Sequence, residues 1–187
     1  MSTRERILDA AADLFWERGY SATSPQAIQE RAGVGQGSMY HHFTGKSALA
    51  AASLRRDAEI LRRSTAELLD EGSTPLDAVL GYLQSPRPPL MGCKLGRMTQ
   101  DPEVVADDDM RSPIAETFTF YQGRIAALLD AGIRSGDLRS DFSPTEVAAT
   151  VVAIIQGAHV IARAEQTHDA FERVIAGAVR LVEGLRA

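Results

Sequence analysis

The residues best equipped for chemistry lie between Ser24 and Lys46. Gln36 and Ser38 carry the paired donor and acceptor groups that read base edges, and Tyr40, His41 and Lys46 suit phosphates and the duplex backbone. The stretch Ile28-Gln29-Glu30-Arg31-Ala32-Gly33-Val34-Gly35-Gln36-Gly37-Ser38-Met39-Tyr40-His41-His42-Phe43 divides into a short helix, a turn at Ala32 to Gly35 and a second short helix rich in polar and aromatic side chains. That order fits a helix-turn-helix, whose second helix enters the major groove of double-stranded DNA. Gly33 permits the left-handed turn, while Ile28, Val34, Met39 and Phe43 can anchor the pair to the helix before it.

Other constellations carry less. His41 and His42 are adjacent, so on a helix they point about 100° apart and cannot face one metal ion as an i, i+4 pair can. Asp107-Asp108-Asp109 reads as a solvated charge run, without the glycine and terminal glutamate of a calcium loop. Gly35-x-Gly37 lacks the preceding strand and third glycine of a dinucleotide loop. No nucleophilic serine motif occurs, so neither a catalytic set, a metal nor a cofactor is expected. Cys93 is the one cysteine. If Leu90 to Gln100 is helical, Arg97 stands one turn on, where its charge and that of Lys94 would favour a thiolate; an inert buried thiol is the plainer reading.

The elements that must position these residues are all helical. Ile7, Leu8, Ala11, Leu14 and Phe15 recur at helical spacing after Thr3, and Gly19 stops them. Ser24-Pro25 opens a short helix with an N-cap and an N1 proline, and Thr74-Pro75 and Ser143-Pro144-Thr145-Glu146 repeat the signal. A long helix runs to about Asp70, Ser85-Pro86-Arg87-Pro88-Pro89 makes a proline-rich corner, Leu90 to Gln100 is a short helix and Arg111 to Arg134 a long one. Val147 to Ala162 and His168 to Leu185 end an all-α chain of about nine helices. Val147 to Ala162 is broken by polar residues and shorter than the roughly 20 residues a membrane span needs, so no span is expected.

The chain has 187 residues, 44% of them hydrophobic and 24% charged, which excludes a disordered chain. A single cysteine and a charged N-terminus point to a reducing cytoplasm. The net charge of −5 argues by itself against nucleic acid, but it is unevenly spread. Through Arg63 nine Lys/Arg stand against seven Asp/Glu, and from Ser64 eleven stand against eighteen. The front can meet DNA, and the acidic remainder has a different task.

The first 50 or so residues resemble the TetR family of bacterial transcriptional regulators, in Ile7-Leu8-Asp9-Ala10-Ala11, Leu14-Phe15, Gly19-Tyr20, Ser24, Ile28, Ala32-Gly33-Val34, Gly37-Ser38-Met39-Tyr40-His41-His42-Phe43, Lys46 and Leu49. Pro25 and Gln29 depart from the pattern, which has an aliphatic residue and alanine there. The resemblance implies a three-helix DNA-binding domain over residues 1–47, with Ser24 and Gly37 added to the DNA-facing set. It implies a helical domain over 48–187 for ligand binding and dimerisation, and repression from a palindromic operator that a small molecule releases. In that architecture Tyr82, Met91, Met98, Phe118, Tyr121, Gln156 and His159 belong to helices around a cavity, and Cys93 joins them because some family members carry a reactive thiol in such a Gly-Cys pair. Aromatic lining with few charges favours an apolar or aromatic effector. Val147 to Ala162 is apolar around most of its circumference, and Ala153 and Gly157 allow close approach, so the last two helices are expected to form a homodimer seam. The rival from another class is a helical small-molecule carrier or enzyme that retains a helix-turn-helix-like end.

Overall fold

Helix starts follow the side chains able to cap them. Helix α1 (Thr3–Arg18) opens on a capping box in which Ser2 Oγ accepts from Glu5 N at 3.2 Å and Glu5 Oε2 accepts from Ser2 N at 2.6 Å. Helices α2 (Pro25–Ala32), α5 (Pro75–Gln84) and α9 (Pro144–Glu165) each begin with an N1 proline behind a Ser or Thr whose oxygen accepts a backbone N–H. Between them lie α3 (Gln36–His42), α4 (Lys46–Asp70), α6 (Lys94–Met98), α7 (Pro102–Ala106) and α8 (Asp108–Ser135), and α10 (His168–Glu183) is last. This computed structural model describes residues 1–187 and contains no strand, only an isolated bridge between Leu138 and Arg186.

Ten helices replace the expected nine for local reasons. Gly92 adopts φ +82°, a left-handed conformation that keeps Leu90 to Cys93 out of the helix and leaves only Lys94–Met98 helical. Asp101 caps the extra helix α7, its side chain accepting from Glu103 N. Helix α8 begins at Asp108, three residues before Arg111, because Asp107 Oδ1 accepts from Asp109 N at 2.9 Å. Helix α9 has 22 residues and is long and apolar enough to cross a membrane, so the expectation that it is too short does not hold. It is a core helix: Ala148, Val151, Val152, Ile155, Ala158 and Ala162 are buried, and α10 packs against it.

The chain forms two compact units. The first comprises Met1–Ile60 and Lys94–Glu116. Its centre is α1, which packs on α2, α3 and α6 and buries Ile7, Leu8, Leu14 and Phe15 together with Ile28 of α2 and Met39 of α3. The second comprises Leu61–Cys93 and Thr117–Ala187. Its core joins Leu76, Val79 and Leu83 of α5, Ile125 and Leu129 of α8, Val151 and Ile155 of α9 and Phe171 and Ile175 of α10. In this unit Gly72 admits no side chain, because a Cβ there would stand 2.4 Å from Ala78 N and 2.5 Å from its Cα. Gly72→Ala is expected to cost about 2–3 kcal/mol, read as a lowered urea midpoint, since the obstructing atoms are helical backbone that cannot swing aside.

Candidate functional site

Three short features set the geometry around α2 and α3. Gly33 ends α2 at φ +63°, ψ +44°, its N–H bonding to Glu30 O at 3.2 Å and Val34 N to Gln29 O at 3.0 Å. This left-handed closure turns the chain sharply into α3. Met39 and Phe43 are buried and pin α3 from beneath, and Gln29, half-buried, points its amide at Met39 Sδ 3.8 Å away. Gln29 therefore fills the α2–α3 contact where alanine is usual. Arg31 and Glu17 add a two-pronged ion pair at 3.0 and 3.1 Å that ties α2 to α1, worth little by itself because both side chains are well exposed.

With its inner side pinned, α3 leaves Gln36, Gly37, Tyr40 and His41 exposed and Ser38 half-buried. Ser24 is exposed at the start of α2, and its Oγ accepts from Ala27 N at 3.1 Å, so its own proton remains available to a phosphate oxygen. Lys46 opens α4 with its ammonium 4.1 Å from the Tyr20 ring centre. Arg4, not singled out from the sequence, lies with its guanidinium 5.4 Å from the Phe43 ring at the end of α3. Its only sequence signal was a cation in the first turn of α1. The structure thus brings Ser24, Gln36, Gly37, Ser38, Tyr40, His41 and Lys46 into the same unit.

Gly37 is informative because a Cβ there would meet nothing within 4 Å. Nothing in the protein requires glycine, although glycine inside a helix costs about 1 kcal/mol relative to alanine. The family resemblance places Gly37 among the DNA-facing residues, where an added methyl group would stand in the way of a duplex. Gly37→Ala is therefore expected to raise unfolding stability by about 0.5–1 kcal/mol while weakening duplex binding about tenfold. Denaturant titration and fluorescence anisotropy on one sample measure both.

The residues expected around a small molecule separate. Tyr82, Tyr121 and His159 are buried, and Met91, Cys93, Phe118 and Gln156 half-buried, all in the second unit. The Tyr121 ring lies 6.1 Å from Tyr82 and 6.4 Å from Phe118, and the His159 ring lies tilted 4.8 Å from Phe171. Burial pushes the Tyr82 phenol up to about 12 and the Tyr121 phenol higher still, so both stay neutral. Burial lowers the His159 pKa, against the hydrogen bond between its Nδ1 and Pro89 O at 3.1 Å, so this ring is neutral at pH 7. Met98 lies elsewhere: it is buried in the first unit with Ala12, Phe15, Trp16 and Leu54.

Cys93 precedes α6, so the helical i, i+4 relation to Arg97 is not present. Arg97 turns instead to the end of α1, donating to Trp16 O and, at 2.8 Å, to Glu17 O. Lys94 is held 3.9 Å from the buried Asp57 carboxylate and 5.0 Å from the Trp16 ring. Burial raises the Asp57 pKa, and the charges of Lys94 and Arg56 oppose that rise. Sequence reasoning also missed Arg87, whose guanidinium donates to Tyr82 O, Leu83 O and Ser85 O at 2.6–3.2 Å and so caps the C-terminus of α5. Its signal was only a cation within a proline corner.

Comparison with known proteins agrees with this geometry. Residues 7–53 match the family model described as "Bacterial regulatory proteins, tetR family", and residues 75–178 match "Tetracyclin repressor-like, C-terminal domain". The HTH-type transcriptional repressor DhaR of Mycobacterium sp. (strain GP1) is 25% identical over 180 residues, covering 92% of this chain and 88% of the repressor. The HTH-type transcriptional repressor KstR2 of Rhodococcus jostii (strain RHA1) is 30% identical over 142 residues, covering 74% of this chain and 69% of that one. The crystal structure of a TetR transcriptional regulator from Chloroflexus aurantiacus superposes with a TM-score of 0.88 at 26% identity, covering 98% of this chain and 96% of the other. A helix-turn-helix with its polar face free, joined in one chain to a matched regulatory segment, has one family home: the protein belongs to the TetR family of bacterial DNA-binding transcriptional regulators.

Proposed function

We propose that the protein is a cytoplasmic, homodimeric repressor that sits on a palindromic operator and leaves it when a small apolar or aromatic effector binds. In this division of labour residues 1–47 read DNA and residues 48–187 dimerise and sense. The observation that carries the reading is the presentation of α3: Met39 and Phe43 buried beneath, Gln36, Gly37, Tyr40 and His41 exposed above. Gln36 and Ser38 serve base edges; Ser24, Tyr40, His41 and Lys46, with Arg4, serve phosphates, and Gly37 lets the duplex approach. A dimer places two such helices on successive half-sites. Its seam is assigned to α9 and α10, where Val160 at 62% and Leu181 at 70% exposure leave large apolar side chains uncovered, and where a Cβ on Gly157 would meet nothing within 4 Å.

The effector is assigned to the aromatic group of Tyr82, Phe118 and Tyr121 with Met91, Cys93, Gln156 and His159 beside it. Neutral phenols and a neutral imidazole suit an uncharged ring or chain better than an ion. Because linkage is reciprocal, the effector should lower operator affinity about 5–150-fold, and operator should lower effector affinity by the same factor. Trp16, against Lys94, is the fluorophore to follow. A compound that binds free and operator-bound protein equally is not the effector.

Selection from a random duplex pool tests the regulatory reading. The purified protein should enrich an imperfect palindrome with half-site centres about one helical turn apart. A pool that drifts without an enriched sequence would remove the repressor assignment.

A further inference from the structure

A cleft on the second unit lies between the end of α5, the proline corner after it and α10, and it borders the aromatic group: Phe171 on its floor is 4.8 Å from the His159 ring, and Arg87 in its wall is 5.0 Å from the Tyr82 ring. Its volume is about 480 Å³, within the size range of small-molecule sites. The floor is apolar, formed by Leu83, Phe171, Ile175 and Val179, and Pro86 and Pro89 make one wall. That wall is rigid for two reasons: prolines fix their own backbone, and Arg87 ties the corner to three carbonyls at the end of α5. The concavity is thus already shaped before anything enters it.

The charged groups around this apolar floor are two cations and one carboxylate. Arg87 lies half-buried in the wall, and Arg180 and Glu172 are both exposed on the cleft side of α10, about two helical turns apart along it. Arg180 takes part in none of the chain's salt bridges, so its guanidinium is available to an incoming group. A planar guanidinium beside an apolar surface suits a carboxylate or sulfonate on a hydrophobic body.

The proposed dimer seam does not compete for this surface. At about 100° per residue, Val174, Gly177 and Leu181 share one flank of α10, whereas Glu172, Ala176 and Val179 share the opposite one. A partner docked on the first flank leaves the second open, with Arg180 at the border between the two.

We propose that this α5–α10 cleft binds a small organic anion with an apolar body, its acid group on Arg180 and Arg87 and its body on Leu83, Phe171, Ile175 and Val179. The cleft adjoins the aromatic group assigned to the effector, and the feature that gives it its own ligand chemistry is the exposed Arg180 on α10, which that group lacks.

The test uses two fluorescent probes of one frame, 8-anilinonaphthalene-1-sulfonate and uncharged N-phenyl-1-naphthylamine, titrated into the full-length protein. The sulfonate should bind about tenfold more tightly than the uncharged probe, the effect of one charge-assisted contact. Arg180→Ala should abolish that preference and leave the uncharged probe unaffected, and Arg180→Lys should retain part of it. Ala176→Trp, a change at an exposed position that fills the cleft, should displace both probes. Decanoate should compete with the sulfonate where decanol does not. Failure of the wild type to bind the sulfonate, an undiminished preference in Arg180→Ala, or full binding in Ala176→Trp would overturn the proposal. Operator binding by the same samples reports separately on the regulatory reading, which stands if the probes fail and falls only if the enriched palindrome is not bound.

Discussion

Gly157→Arg is expected to turn the protein into a folded monomer that has lost nearly all operator affinity. Within one protomer the substitution is tolerated, because a Cβ at Gly157 would meet nothing within 4 Å and the long side chain can extend into solvent. Across a seam of α9 and α10 it is not, since a guanidinium would be buried against the apolar groups of Val160, Ile161 and Leu181 without a partner. Two linked reading heads gain about 10²–10⁴ in avidity over one, and the monomer forfeits that factor. Sedimentation velocity reads the oligomeric state, anisotropy reads operator affinity, and an unchanged far-ultraviolet circular dichroism spectrum shows that the protomer still folds. A variant that sediments as a dimer moves the seam to another surface.

The second large effect separates reading from holding. Gln36 is exposed at the start of α3, and its amide can bond an adenine edge in two places; Gln36→Ala should cost about 1–3 kcal/mol on the preferred operator and relax preference at one base pair per half-site. Tyr40, at 44% exposure, offers a hydroxyl to the backbone, so Tyr40→Phe should weaken every duplex by a similar factor. Titrating both variants on a panel of single-base operator variants distinguishes the two patterns. Equal losses for Gln36→Ala on all sequences would take this side chain out of direct readout.

What could be read from the sequence was what short-range chemistry decides. Gly33 announced the turn because few other residues accept its left-handed conformation, and Ser24-Pro25 and Ser143-Pro144 announced helix starts because cap and proline act within one turn. The exposed face of α3 followed from Met39 and Phe43 at helical spacing. Long-range partners were not legible. Nothing local tells Met98 that its neighbours are Phe15 and Trp16 of α1, or tells Arg97 that its guanidinium ends on the last carbonyls of that helix. Those contacts place Lys94–Glu116 in the same compact unit as Met1–Ile60, a union of segments distant in sequence. Cys93 shows a subtler failure: periodicity admitted it to a helix, but the backbone choice at Gly92 kept it out. Leu181 lies on the apolar stripe of α10 yet is uncovered, because the stripe is wider than the protomer's own core requires.

The central claim is that a dimer reads a palindrome through α3. The most direct measurement is fluorescence anisotropy on the enriched palindrome and on a scrambled duplex of equal composition, repeated from 50 to 200 mM salt, roughly the range over which phosphate contacts dominate the loss of affinity. Two protomers should bind each palindrome, about 10³-fold or more tighter than the scrambled duplex, with both affinities falling steeply as salt rises. Equal affinity for the two duplexes, or saturation by a single protomer, would contradict it.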